Sequence, residues 1–136
     1  YNIPKDSIVI EVSEDKVKGG LSDVLDKIVE LKNNGFHIAI DNYGAKYADL
    51  FLFSEVKFDT LKLDRELVHK LETDEKTCMI SKSVIDICKN YNISVVAEGV
   101  ENEKEYDILK EMGCDEAQGY LFDKPMSWNR FEEKYL

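Results

Sequence analysis

The apolar positions of the chain fall into short β-branched runs separated by stretches with helical spacing. Residues 7–12, SIVIEV, predict a strand buried on both faces. Leu21, Val24, Leu25, Ile28, Val29 and Leu31 then recur at helical spacing, and Asn33-Asn34-Gly35 supplies a stop. The alternation continues with a strand over 37–40, a short helix over 47–53 and a third strand over 58–63, FDTLKL. A short helix near 66–70 leads to a long one, whose stripe is Ile80, Val84, Ile87, Cys88 and Tyr91 and which Asn90 or Asn92 can end. A fourth strand is expected over 94–97, a helix over 103–112 closed by Gly113, a short fifth strand within 116–121, and a last helix over 127–133 with Ser127 as its N-cap.

Strands alternating with amphipathic helices at this pitch imply right-handed βαβ units and a parallel sheet, so the fold class is α/β. Two architectures fit, an open doubly wound sheet or part of a (β/α)8 barrel. A whole barrel takes eight units and ~250 residues, so about five βα units would be only its later part. The 136 residues, 43% hydrophobic and 34% charged, suit one soluble globular domain or a piece of one. The sequence begins at Tyr1 without a Met, and the numbering is expected to start inside a longer product. No stretch reads as a signal peptide or a membrane span.

Charge narrows the function classes. A net charge of −10 argues against a nucleic-acid polymer as partner, because no basic face is available to track phosphates. A small phosphate ligand is still compatible where a divalent cation or local donors offset the carboxylates. Cys78, Cys88 and Cys114 are widely spaced without a CxxC pair and read as thiols in a reducing compartment. Together with the acidic, proline-poor composition, this suggests a cytoplasmic bacterial protein.

The candidate chemistry lies at the strand ends. The first strand ends in Glu11-Val12-Ser13-Glu14, the second in Asp41-Asn42, the third in Lys62-Leu63-Asp64 and the fourth in Glu98-Gly99-Val100-Glu101; the fifth carries Gln118-Gly119. In parallel α/β folds these ends converge on one rim, where ligands bind. One acid at a strand end commonly caps a helix or faces water. Convergent carboxylates instead repel one another unless a cation sits among them. Oxygen ligands without nearby His or Cys favour Mg2+ or Mn2+ over Zn2+, and Lys62 can steady an attacking water or a phosphate oxygen.

The motifs Glu11-Val12-Ser13-Glu14, Asp41-Asn42-Tyr43-Gly44, Leu61-Lys62-Leu63-Asp64, Val95-Val96-Ala97-Glu98-Gly99-Val100-Glu101 and the run from Gly113 through Gln118 to Pro125 occur in the order and spacing of the EAL domain. The chain thus resembles the C-terminal part of that family. The family is a (β/α)8 barrel that hydrolyses cyclic di-GMP to pGpG with Mg2+ or Mn2+. The resemblance implies that Glu11 and Asp41 are metal ligands and that Asp64 lies near a second metal position. It places Lys62 beside the metal-bound water and Glu98 in the metal and substrate centre. Glu14 would anchor the loop after the second strand, and Glu101 and Gln118 would support the centre and the ligand pocket. It also makes a GGDEF or sensor domain a possible neighbour in the same polypeptide. His37 and His69 match nothing in the pattern and read as a strand-start and a helix-surface histidine.

Two departures separate this sequence from the family pattern. The Glu-Ala-Leu motif and an early metal-binding Asn are absent and would lie upstream of Tyr1. Within the chain, Asp-Asp-Phe-Gly-Thr-Gly becomes Asp41-Asn42-Tyr43-Gly44-Ala45-Lys46, so a degenerate metal position, Asn42, has lost one anionic ligand. Two functional readings stay open. In one, the module binds cyclic di-GMP or a protein partner with little or no turnover, as Asn42 and Lys46 favour. In the other, the intact domain is an active phosphodiesterase, as Glu11, Asp41, Lys62, Asp64, Glu98 and Gln118 favour. Alone, the chain is expected to lack activity and to hold no metal. It is further expected to complete its open sheet edges with a second copy or another strand-completing contact.

Overall fold

A computed structural model describes residues 2–18, 22–45 and 49–136. After a single 3-10 turn at Lys5–Ser7 come β1 (Val9–Ser13), α1 (Glu14–Lys18), α2 (Ser22–Asn33), β2 (His37–Tyr43), α3 (Leu52–Glu55) and β3 (Thr60–Leu63). These are followed by α4 (Arg65–Lys70), α5 (Glu75–Asn90), β4 (Ser94–Glu98), α6 (Glu103–Met112), β5 (Glu116–Gln118) and α7 (Trp128–Tyr135). Local chemistry accounts for several helix boundaries. Asp64, Asp74 and Asn102 each accept a backbone N–H in the first turn of α4, α5 and α6. Gly113, at φ 80°, closes α6 in the left-handed conformation that a C-terminal stop requires.

Two observations choose between the architectures that the sequence left open. The five strands are all parallel and lie in the order β1-β2-β3-β4-β5, with each βα unit adding its strand beside the last. A doubly wound sheet reverses its order at a switch point, and none occurs among the described residues. Apart from the small Ala39, which is buried on the opposite face of β2, the strands are buried mainly on one face. Ile38, Ile40, Leu61, Leu63, Val95 and Ala97 are fully buried, whereas the alternating Thr60, Lys62, Ser94, Val96 and Glu98 are half-buried. Helices on one face of a parallel sheet with sequential order are the arrangement of a barrel wall. The other face is left to the polar side chains of the strand ends.

The structure departs from the sequence reading at several elements. Residue 7 belongs to the 3-10 turn, and among the described residues β1 pairs only with β2 and leaves Val9 exposed, so it is not buried on both faces. A separate helix, α1, follows β1 directly, while Leu21 of the expected stripe lies outside the described residues. The short third helix is α3, and residue 47 also lies outside the described residues. On α5 the buried stripe is Ser81, Val84, Ile85 and Cys88, with Ile80 and Tyr91 exposed. A buried serine at one stripe position shifts the face by one residue from the one hydrophobicity alone selects. Ser127 is the N-cap of α7, although its hydroxyl makes no capping bond.

Candidate functional site

The end of β2 is where backbone geometry shapes the rim. Ile40 pairs with Leu61 and Tyr43 with Leu63, so three steps on β2 match two on β3. The extra residue is a bulge. Regular alternation from Ile38 and Ile40 would send residue 42 toward the helices, but the bulge gives that place to Tyr43, which is fully buried. Asn42 is expelled to an exposed position at φ 59°, in the left-handed region that asparagine tolerates better than most residues. There its amide donates to Asp41 Oδ2 at 2.8 Å. The other oxygen, Asp41 Oδ1, is buried and accepts no hydrogen bond among the described residues.

Lys62 gathers the carboxylates. Its Nζ lies 2.7 Å from Glu11 Oε1, 2.8 Å from Glu98 Oε1 and 3.3 Å from Asp41 Oδ1, bringing together side chains of β1, β2, β3 and β4. Burial alone would lower the lysine pKa, but the bonds to Glu11 and Glu98 and the charges of Glu98 and Asp41 outweigh it and hold it above the ordinary lysine range. Among these carboxylates Lys62 stands as an ammonium, able to donate to an oxygen. With Lys62 at the centre, the described residues include no group of three or more His, Cys, Asp or Glu that could hold a metal ion. Oxygen-only donors, including Asp41 Oδ1, which is ion-paired to Lys62 without accepting a hydrogen bond among the described residues, still suit a hard divalent cation at this rim.

The remaining candidates make their contacts outside the lysine cluster, and Glu14 holds the segment after β2 as expected. Asp64 Oδ1 accepts from Glu66 N at 2.8 Å as the cap of α4. Buried Glu14 accepts from Gly44 N at 3.2 Å and Asp49 N at 3.1 Å, spanning both ends of the segment after β2. Lys46, within that segment, lies outside the described residues. Gln118 is paired in register with Glu98, but no hydrogen bond or ion pair joins its side chain to the lysine cluster among the described residues. Glu101 is exposed, 4.0 Å from His69 Nε2.

Sequence reasoning missed Glu105. It is 3% exposed, and its two oxygens take Glu101 N at 2.7 Å and His69 Nδ1 at 2.8 Å. His69 is thereby tied to a buried carboxylate as well as lying on a helix surface. The signal was present, because Asn102 followed three residues later by Glu105 is a capping-box spacing.

Comparison with known proteins places this rim in a family. The family model described as "EAL domain" matches residues 1–125. Cyclic di-GMP phosphodiesterase RocR of Pseudomonas aeruginosa is 35% identical over 131 residues, covering 96% of this chain and 33% of RocR. A structure of the EAL enzyme Bd1971 with cAMP and cyclic di-GMP bound superposes with a TM-score of 0.88 at 30% identity, covering 97% of this chain and 35% of the other. The manganese and cyclic di-GMP complex of Klebsiella pneumoniae BlrP1 gives 0.86 at 34% identity, covering 90% and 31%. The chain thus spans about a third of these relatives. In sequence and in fold, the chain belongs to the EAL domain family.

Proposed function

We propose that this chain forms the phosphate-facing part of an EAL module that binds cyclic di-GMP and turns it over weakly or not at all. The observation that carries this reading is the Lys62 ammonium held between Glu11, Asp41 and Glu98. It is a fixed donor for a phosphate oxygen at this rim. In the intact domain Glu11 and Asp41 would hold Mg2+ or Mn2+, with Asp64 and Asn42 at the second position. A bound divalent ion supplies Lewis acidity toward the phosphodiester and lowers the pKa of water. Lys62 orients an oxygen of the phosphate or of the attacking water. Glu98 and Glu11 hold the ammonium in place by accepting hydrogen bonds from it.

Asn42 weakens this arrangement twice. It contributes no charge at the second position, and its amide occupies Asp41 Oδ2. The relatives' names support the second reading, an active phosphodiesterase, and so does the retention of Lys62, Asp64 and Glu98. The discriminating experiment measures cyclic di-GMP binding and conversion to pGpG with Mn2+ for the full-length protein and its Asn42→Asp variant. Binding by both, with turnover raised about tenfold or more by the aspartate, supports the proposal. Binding by both with no turnover from either also supports the proposal, whereas measurable wild-type turnover equal to the variant's establishes the active enzyme instead, and absence of binding in both removes cyclic di-GMP as the ligand.

A further inference from the structure

We propose that Glu105 and His69 form a strut that sets the rim position of Glu98 relative to Lys62, making Glu105 a positioning residue for the site; this rests on the ligand assigned above. The strut joins two segments that each carry site residues. Lys62 and Asp64 lead directly into α4, on which His69 sits one turn later. Glu98 ends β4, and residues 99–102 connect it to α6, whose first turn contains Glu105. Glu105 Oε2 accepts the Glu101 amide inside that connection, while Oε1 reaches His69 Nδ1 across 36 residues of sequence. A carboxylate that only capped α6 would not need the second bond.

The connection is also clamped sterically on two sides. Gly99 has φ 71° and sits against Arg65 in the first turn of α4, where an added Cβ would come within 2.4 Å of Arg65 Cβ. Gly119, just past β5, meets the Val100 backbone so closely that an added Cβ would lie 2.1 Å from Val100 O. Residues 99 and 100 are thus wedged between α4 and the end of β5, with Glu105 fixing the next residue. Burial tends to raise the Glu105 pKa, yet the Glu101 amide and His69 outweigh it and keep the carboxyl below its ordinary value. The ionised form is the one that accepts both bonds.

The test compares Glu105→Ala, Glu105→Gln and His69→Ala in the full-length protein. It reads amide hydrogen exchange over residues 98–102, imidazole nitrogen shifts of His69, and affinity for cyclic di-GMP. Glu105→Ala removes both of its charge-assisted contacts, and should lose protection at residue 101 and weaken binding about tenfold. Glu105→Gln can accept from the Glu101 amide with its oxygen and donate to His69 Nδ1 with its NH2. It should restore both readouts to within about twofold while moving the His69 proton from Nδ1 to Nε2. His69→Ala leaves the cap of α6 intact, and should still weaken binding and raise exchange over 98–102. Wild-type exchange and wild-type affinity in His69→Ala would overturn the strut and leave Glu105 a local cap. If the wild type binds no cyclic di-GMP, the assigned ligand fails, and exchange and the His69 proton position still decide the strut.

Discussion

At the scale of single residues, the rim is governed by where one extra backbone residue falls. The β2 bulge puts Asn42 outside and Tyr43 inside, and the inner position exposes a conflict. Tyr43 is fully buried and its hydroxyl has no hydrogen-bond partner among the described residues. Burial, followed by the nearby charge of Glu14, drives its pKa far up, so the hydroxyl stays neutral and unsatisfied. Tyr43→Phe keeps the ring and its edge contact with Phe53 and removes only the orphaned oxygen. It is expected to stabilise the protein by about 1–3 kcal/mol, read as a higher urea midpoint at unchanged slope. An equal or lower midpoint would show that the hydroxyl is satisfied in solution.

At the scale of elements, the ends of the strands opposite the rim are held by acids that precede them. Asp59, just before β3, accepts from Lys32 Nζ at 2.6 Å and from Ile38 N at 2.8 Å, and so ties α2, β2 and β3 together. Asp115, before β5, accepts Val95 N of β4 in the same manner. Burial raises the Asp59 pKa, but the Lys32 bond and the Ile38 amide outweigh it, and the net displacement is downward. A depressed folded-state pKa contributes stability above the unfolded value of about 3.9, and that contribution disappears as pH falls through the lower folded value. Asp59→Asn should therefore be less stable at neutral pH and lose less stability than wild type on acidification below about pH 4. Parallel stability curves for the two proteins across that range would assign the acid transition to other carboxylates.

At the scale of the whole molecule, the sheet ends in two edges that no strand covers among the described residues, where β1 bonds to β2 and β5 to β4. Exposed Tyr120, Phe122, Trp128, Phe131 and Tyr135 follow β5 and leave an apolar surface beside its edge. Open parallel edges with apolar flanks recruit further strands. The polypeptide 1–136 expressed by itself should self-associate in a concentration-dependent way, measured by light scattering coupled to size exclusion. A monodisperse monomer with one sharp unfolding transition would show that these edges need no cover. Among the described residues no helix is long and apolar enough to cross a membrane.

Much of this protein could be read locally. α6 matches its expected bounds, and the strands and most helices follow from alternation, spacing and stop residues, because these act between near neighbours in sequence. The charged strand ends were equally plain, since parallel topology sends every C-terminal end to the same rim. The face of α5 was misread because a buried Ser81 does not look apolar, and α1 was missed because it follows β1 without a break. Strand order, the one-sided helix cover and the β2 bulge rest on pairing between distant segments, to which periodicity is blind. The sequence by itself determined most of the elements, their order along the chain and the residue types at the rim. Only the tertiary structure decided that Lys62 stands among Glu11, Asp41 and Glu98, and that Glu105 reaches His69, because those distances depend on how separate βα units pack against one another.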